Sequence, residues 1–327
     1  YSMSRELPPK VEELTACRLC ASQDLEEVWN LGEQWVMDCL DEGQDGFKAP
    51  LVVVLCRDCG LAQLKHTVDR DLMYRNYWYR SATSEVMVAA LKETVKGALA
   101  RLGGDPLAVC DIGANDGTLL GFLPEGCKRI AFEPAKNIIP ETADVIVRDY
   151  FAAYAYPIYL GHADLCFSVA MFYDVDTPQR FIRDMANVLD FNGIWVCQMN
   201  FVGPVMRDNS FDFISHEHVA LWDLPTFAKV VAKSGLEVFD LEELPLNGGT
   251  YRVYVDHQGQ LPVTPRVAEY LARDEEHRSA SAWRRFKTTV YKNGQRLTQI
   301  LRDIKAQGKT VAVLGASTRG NSLLQHY

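Results

Sequence analysis

Four cysteines form two closely spaced pairs, Cys17 with Cys20 and Cys56 with Cys59. A two-residue spacer lets both thiolates of a pair turn toward one ion, and four sulfurs complete the tetrahedron that zinc favours. A redox-active pair usually opens a helix in a thioredoxin-like βαβ unit, and the flanking sequence predicts no such unit. Because four cysteines leave no open coordination position, the spacing predicts a structural zinc site in a zinc ribbon.

An acidic, glycine-containing segment, DIGANDG, spans residues 111–117 and follows an apolar run. Glycine at position 113 permits a sharp turn from strand to helix and a close approach of backbone to a ligand. The dinucleotide fingerprint GxGxxG is missing, and Asp111 and Asp116 would repel a pyrophosphate. The two acids suit a ligand that carries an amino group and no phosphate, such as S-adenosylmethionine (SAM).

Further polar residues follow at the ends of later predicted strands. Glu133 comes about twenty residues after the glycine turn, where an acid can hold both ribose hydroxyls of a bound nucleoside. Asp149 could face an adenine amino group or lie in a solvated turn, and the sequence favours neither. Met171 ends the fourth strand, where ligands of open α/β sheets bind. The predicted cofactor residues are Asp111, Gly113, Asn115, Asp116, Glu133, Asp149 and Met171.

Two histidines flank a carboxylate in His216–Glu217–His218. Histidine titrates near neutrality and suits proton transfer. The two histidines are not four residues apart, so the segment is not a zinc-protease helix motif. A bare tripeptide of this kind is more often structural, but its position after the fifth predicted strand would place it over the methyl-donor site.

These residues are positioned by alternating helices and strands. Apolar spacing predicts a helix over residues 84–102. Buried strands and one more helix follow, with strands at 107–112, 129–132, 145–147, 164–171 and 194–199 and the helix at 178–189. This alternation predicts a doubly wound α/β sheet.

The C-terminal part begins with a glycine pair before a predicted strand at 253–256, where Arg252 could meet a phosphate or the segment could be a plain β-turn. A long charged helical stretch follows, whose apolar stripe we interpret as core: Trp283, Phe286, Val290, Leu297, Leu301 and Ile304. A predicted strand at 310–314 and a glycine-rich turn at 315–320 look like the start of another nucleotide-binding βα unit.

The bulk composition limits the class of protein. A chain of 327 residues predicts two or more domains, and a net charge of −9 without a Lys/Arg run argues against nucleic acid as a partner. No apolar run approaches the roughly 20 residues of a membrane span, and the N-terminus lacks the apolar region of a signal peptide. We therefore expect a cytoplasmic protein, monomeric, with no membrane partner and with its nine cysteines reduced.

Several motifs occur in a fixed order along nearly the whole chain. They are CRLC, CRDCGLAQL, NYWYRSATSE, DIGANDGTLL, FEP, MFYDVDTPQRF, FDFISHEHV, LNGGTYRVYV and VAVLGASTRGNSLL. In this order the chain resembles the three-part sugar C-methyltransferases of deoxysugar pathways, which act on nucleotide-linked 4-keto-6-deoxyhexoses. The resemblance implies a zinc-binding domain (1–75), a class I SAM-dependent methyltransferase domain (76–256) and a helical segment with a truncated Rossmann-like domain (257–327).

The resemblance also implies a mechanism. Methylation of a carbon beside a ketone requires removal of an α-proton and stabilisation of an enolate, and the family's base maps onto His218. Glu217 and either Tyr77 or Tyr79 would orient the substrate or support the enolate, although both tyrosines could equally be packing residues. His216 is expected to pack or to hold backbone.

This chain departs from the family at three positions. Ser215 stands where Tyr is common, Asp174 where His is common and Gln198 where Glu is common. The reaction class survives these changes, whereas the sugar and the carbon stay open. O- or N-methylation of another small molecule, a non-catalytic SAM-binding protein and, more weakly, an NAD-dependent dehydrogenase are the alternatives.

Overall fold

The structure, a computed structural model, describes residues 11–36, 46–313 and 317–327. Its strands are β1 Val11–Glu13, β2 Leu25–Trp35, β3 Lys48–Cys56, β4 Ala62–Leu64, β5 His66–Val68, β6 Ala108–Ile112, β7 Lys128–Phe132, β8 Val145–Val147, β9 Ala163–Val169, β10 Leu189–Asn200, β11 Ala220–Leu221, β12 Leu236–Leu244 and β13 Thr250–His257. Its α-helices are α1 Arg70–Tyr74, α2 Glu85–Leu102, α3 Pro178–Val188, α4 Val202–Arg207, α5 Leu224–Ala232, α6 Pro265–Asp274, α7 Ala280–Ala306 and α8 Thr318–His326.

The central sheet has seven strands in the order β8-β7-β6-β9-β10-β13-β12. Strands β6 to β10 pair in parallel, and β13 runs antiparallel to both of its neighbours. The chain order reverses direction between β6 and β9, and ligands of such sheets bind beyond the carboxyl ends of the strands at this point. The predicted doubly wound α/β sheet is confirmed.

Local sequence explains how α2 packs on this sheet. The Ser84 side chain accepts a hydrogen bond from the Met87 amide at the helix start, and Gly103 ends the helix in the left-handed conformation with φ 74°. Leu91 and Val95 are buried against the sheet, at the four-residue spacing that the sequence predicted. Among the described residues, no helix combines the length and the apolarity that a membrane span requires.

The N-terminal region forms its own four-stranded sheet in the order β11-β4-β3-β2. Strand β11 comes from far along the chain, and its Ala220 pairs with Gln63 of β4. The segment that directly follows His218 therefore completes the sheet of the cysteine-containing region.

Two expectations for the C-terminal part are wrong in detail. The apolar stripe of α7 is core as far as Val290, but Leu301 is 36% exposed because this end of the helix extends beyond the body of the molecule. Residues 310–313 form no strand and are exposed, since no neighbouring strand pairs with them. The rest of that predicted strand and the start of the glycine-rich turn, residues 314–316, lie outside the described residues.

Candidate active site

A cavity of about 810 Å³ lies at the carboxyl ends of β6, β7 and β9. This size falls within the range of roughly 300–1,000 Å³ that is typical of small-molecule sites. Of the predicted cofactor and catalytic residues, only Asp116 is outside its lining. The lining residues that were predicted are Asp111, Gly113, Asn115, Glu133, Asp149, Met171, Tyr77, Tyr79, Glu217 and His218.

The glycine turn is held in shape by its own polar side chains. Gly113 has φ 71°, and a Cβ there would lie 3.3 Å from Cγ of Met171, so the position favours glycine. Asn115 accepts a hydrogen bond from the Ser81 amide at 3.0 Å and donates one to the Tyr79 carbonyl at 3.1 Å. These contacts fix the NYWYRS segment against the turn.

The Asp116 side chain stabilises the glycine turn and does not line the cavity. Its carboxylate accepts hydrogen bonds from the Ala82 amide at 2.8 Å and from the Thr118 hydroxyl at 2.6 Å. Its side chain therefore stabilises backbone, and a direct role toward a ligand stays a prediction.

Two acids, Asp111 and Glu133, line the end of the cavity next to the glycine turn. Glu133 accepts hydrogen bonds from the amides of Asn115 at 2.7 Å and Ala135 at 2.8 Å. Burial raises the pKa of Glu133, and these two amides oppose that shift. Burial also raises the pKa of Asp111 well above its usual value, and the charge of Glu133 adds to the shift. This end therefore favours hydroxyl or amino groups over phosphate.

Asp149 lies at the cavity edge and is already paired. It forms an ion pair with Arg75 at 3.0 Å and accepts the amide hydrogen of Tyr150 at 2.9 Å. Its side chain is 55% exposed, so both interpretations from the sequence stay open.

His218 is held in one orientation at the opposite end. Its Nδ1 lies 2.5 Å from the Phe213 carbonyl oxygen, which can only accept, so Nδ1 carries the hydrogen. Burial lowers the pKa of His218 to about 4, which leaves the ring neutral at pH 7. Nε2 then carries the lone pair. Tyr173 and Phe213 hold the ring at centroid distances of 4.1 and 4.4 Å.

The other histidine of the motif faces away from this cavity. His216 is buried, and its Nε2 lies 3.1 Å from the carbonyl oxygen of Ala49 in β3. It contacts the cysteine-containing region, as expected for a residue that holds backbone.

The two candidate tyrosines both line the cavity, and different charges act on them. Burial raises the pKa of Tyr77 well above its usual value, and the nearby charges of Glu217 and Asp174 add to this shift. The pKa of Tyr79 is raised by burial and by Asp116 of the glycine turn. The carboxylates Glu217 and Asp174 therefore influence Tyr77 most, whereas Asp116 of the glycine turn influences Tyr79.

Among the lining residues to which the sequence assigned no role are Tyr74, Tyr173 and Arg319. Tyr74 is three residues before Tyr77, and its hydroxyl donates to the Glu217 carbonyl at 3.1 Å. Tyr173 covers the His218 ring, and Arg319 reaches the cavity from α8 while bound to Asp212 at 2.6 Å. The aromatic spacing of Tyr74 and Tyr77 was the one available signal.

Gln198 and Ser215, two of the positions at which the chain departs from the family pattern, are buried and do not line the cavity. Gln198 accepts hydrogen bonds from Thr94 at 2.8 Å and from Arg252 at 2.7 Å. Arg252 also pairs with Glu242 at 2.8 Å and is 4% exposed, so the expectation that it could meet a phosphate is wrong. Ser215 is buried, and its hydroxyl hydrogen-bonds to no group in the described ranges.

The four cysteines of the two pairs converge on one point. Sγ of Cys17 lies 3.6 Å from that of Cys59, Sγ of Cys20 lies 3.5 Å from that of Cys56, and all four sulfurs are within 4.8 Å of one another. Zinc–sulfur bonds of about 2.3 Å place tetrahedral sulfurs roughly 3.8 Å apart. The cluster therefore fits a structural zinc ion.

Two arginines connect this cluster to the cavity lining and to the region of α5. Arg18, between the cysteines of the first pair, is 3% exposed and forms an ion pair with Asp176 of the cavity lining at 3.4 Å. Arg278 donates to the Cys59 carbonyl at 3.0 Å and pairs with Asp223 at 3.2 Å. The cysteine cluster is thus tied to both the cavity and the body of the sheet.

Two family models match the chain. Residues 17–74 match a zinc binding domain, and residues 245–327 match the C-methyltransferase C-terminal domain. The chain is 26% identical to C-methyltransferase NovU of Streptomyces niveus over 333 residues, which cover 96% of this chain and 78% of that protein.

Solved structures resemble part of the chain. Mitomycin 7-O-methyltransferase MmcR is 19% identical with a TM-score of 0.44, and the match covers 54% of this chain and 55% of that one. The 1,6-didemethyltoxoflavin-N1-methyltransferase of Burkholderia thailandensis is 16% identical with a TM-score of 0.39, covering 52% of this chain and 78% of that one. Because these TM-scores are below 0.5, the assignment rests on the strand order and the sequence matches.

The fold, the acidic glycine turn and the sequence matches together define a SAM-dependent methyltransferase. Within that class, the chain combines a zinc-binding domain with the C-terminal domain found in C-methyltransferases.

Proposed function

We propose that this enzyme transfers a methyl group from SAM to a carbon next to the ketone of a nucleotide-linked 4-keto-6-deoxysugar. The observation that carries the proposal is the neutral, fixed imidazole of His218 in the cavity. The similarity to a C-methyltransferase supports carbon as the acceptor, and the sugar rests on the resemblance of the motifs.

The residues at the cofactor end suit SAM. Glu133 would accept the ribose hydroxyls, with its carboxylate already aligned by two amides. Asp111, in the lining beside Glu133, would face a cationic group. Gly113 leaves room for the ligand against Met171. When bound, SAM supplies an electrophilic methyl group on a positively charged sulfur.

His218 would act as the general base. Its Nδ1–H is held by the Phe213 carbonyl, so Nε2 can take the α-proton of the substrate. The same carbonyl would stabilise the imidazolium that forms. Tyr77 and Glu217, which lie at the same end, would orient the sugar.

The test uses a panel of nucleotide 4-keto-6-deoxysugars in heavy water, with and without methyl-labelled SAM. The wild-type enzyme is expected to incorporate deuterium beside the ketone and to place label on carbon. His218→Gln should lower both rates by about 10²–10⁴-fold, as expected on loss of a general base, while SAM binding measured by calorimetry persists.

His216→Gln is the matched control, because the same substitution two residues away can keep a hydrogen bond to Ala49. Retained exchange in His218→Gln would contradict the base assignment. Label on oxygen or nitrogen would indicate methylation of a heteroatom. Measurable SAM affinity with neither exchange nor transfer would indicate a non-catalytic SAM-binding protein.

A further inference from the structure

Asp174 is a half-buried acid that the mechanism above does not use. It follows β9 in a short 3-10 turn, Phe172–Asp174, and lies in the lining of the cavity. Its Oδ1 is shielded from solvent and hydrogen-bonds to no group in the part of the chain that the structure describes. A carboxyl oxygen so placed keeps an unsatisfied hydrogen-bonding position in a residue that lines the cavity.

Two carboxylates and one phenol act on the ionisation of Asp174. Glu217 from the histidine motif and Asp176 from the same loop both disfavour its ionisation, whereas the Tyr74 hydroxyl favours it. Arg18, from the first cysteine pair, forms its ion pair with Asp176. Burial, followed by the charge of Glu217, raises the pKa of Asp174 well above its usual value. Two carboxyls in one buried site rarely ionise together, so one of them keeps its proton.

We propose that Asp174 is the acid of the reaction and donates its proton to the ketone oxygen of the substrate while His218 removes the proton from the adjacent carbon. The inference rests on the proposed function. It also assigns a role to one of the departures from the family pattern, since a neutral carboxylic acid can donate a proton where the family commonly has His.

The electrons balance without a further reactant. Nε2 of His218 forms a bond to the α-proton, and the C–H electron pair becomes a carbon–carbon double bond. The carbonyl π pair moves to oxygen, which takes the proton of Asp174 and gives a neutral enol. When the enol carbon accepts the methyl group, the carbonyl re-forms and the proton returns to Asp174, while the methyl–sulfur pair stays on sulfur.

Two measurements on Asp174→Asn test the inference. The asparagine keeps the shape and one hydrogen-bond donor but cannot transfer a proton. Infrared difference spectra of the enzyme at pH 7 should show a carboxylic-acid C=O band that disappears in this variant. Deuterium uptake by the keto-sugar panel should fall by about 100-fold, at the low end of the usual general-acid contribution, with SAM affinity unchanged.

The pH profile of exchange gives a third, independent measurement. Exchange requires neutral His218, so it is lost as pH falls through about 4. It also requires protonated Asp174, so it is lost as pH rises through the elevated pKa of that group. The alkaline limb should be absent in Asp174→Asn and should return in Asp174→Glu.

Asp208→Asn serves as the control, since this exposed acid at the end of α4 is remote from the lining. An unchanged infrared spectrum in Asp174→Asn, an exchange rate within twofold of wild type, or an unchanged alkaline limb would overturn the inference. Absence of exchange in the wild-type enzyme would overturn the proposed function itself. This outcome differs from failure of the Asp174 inference, in which the wild-type enzyme exchanges and Asp174→Asn does so equally well.

Discussion

The cysteine cluster and the cavity differ in where their residues come from and in how their polar atoms are paired. In the cluster, four identical ligands from two short motifs converge, and each sulfur lies against another ligand. In the cavity, acids, tyrosines and one histidine come from segments spread from Tyr74 to Arg319. One of their buried polar atoms, Asp174 Oδ1, has no hydrogen-bond partner among the described residues. In a site that stabilises a fold, the polar groups pair with one another, whereas in a ligand site some polar groups stay unpaired until the ligand binds.

The largest effect is expected on removing a cluster ligand. Cys56→Ser should release zinc and remove much of the roughly 10 kcal/mol that a structural zinc ion contributes to folding, so the N-terminal sheet unfolds. Metal content by mass spectrometry and thermal unfolding by circular dichroism measure this. Cys127→Ser is the control, because its hydroxyl can still donate to the Pro124 carbonyl. Retained zinc and an unchanged melting temperature in Cys56→Ser would show that the cluster does not stabilise the fold in the way that distinguishes it from the cavity.

A cavity residue should instead change binding more than stability. Glu133→Gln is expected to weaken SAM binding by about 10–100-fold, because a charged acceptor of hydrogen bonds becomes neutral and one oxygen is lost. Calorimetric titration with SAM measures the dissociation constant. Glu125→Gln, an exposed acid in the same βα unit, should bind SAM as wild type does. Equal affinity in both variants would show that Glu133 holds only the turn.

The smallest effect is expected on replacing Arg18 or Arg57, the arginines that follow the first cysteine of each pair. Arg18→Gln should lower the free energy of unfolding by about 2 kcal/mol, because it leaves the half-buried Asp176 without its ion-pair partner. Since Asp176 lines the cavity, the KM for the proposed keto-sugar should also rise. Arg57 is 58% exposed and pairs with Asp24 and Glu26, so Arg57→Gln should cost less than about 1 kcal/mol. Urea unfolding and steady-state kinetics measure both. Equal losses of unfolding free energy in the two variants would mean that the ion pair of Arg18 contributes no more to stability than those of Arg57.

The parts that sequence predicted well depend on local spacing. The cysteine cluster, the strands of the central sheet and the start of α2 are set by residues within a few positions of one another. The distinction between Tyr77 and Tyr79 depended on charges at Glu217 and Asp116, which are far away in sequence. Chain pattern alone could not supply these contacts.

The errors have the same origin. Arg252 was assigned to a possible phosphate because its partners, Gln198 and Glu242, lie on neighbouring strands that only the sheet brings together. Leu301 was assigned to the core because its helical spacing is correct while the surface it would need is absent from the described body. Periodicity predicts which face of a helix is apolar, and only tertiary structure shows where that face is covered.

The strand β11 has a consequence for recombination between related enzymes. His218 lies two residues before Ala220, which pairs with Gln63 of the N-terminal sheet, and His216 contacts Ala49 of the same sheet. A cut near residue 75 would leave the N-terminal sheet without its fourth strand and His216 without its contact to Ala49. A transplanted N-terminal domain would therefore need to bring residues 215–221 with it, so inheritance of the two segments is expected to be coupled.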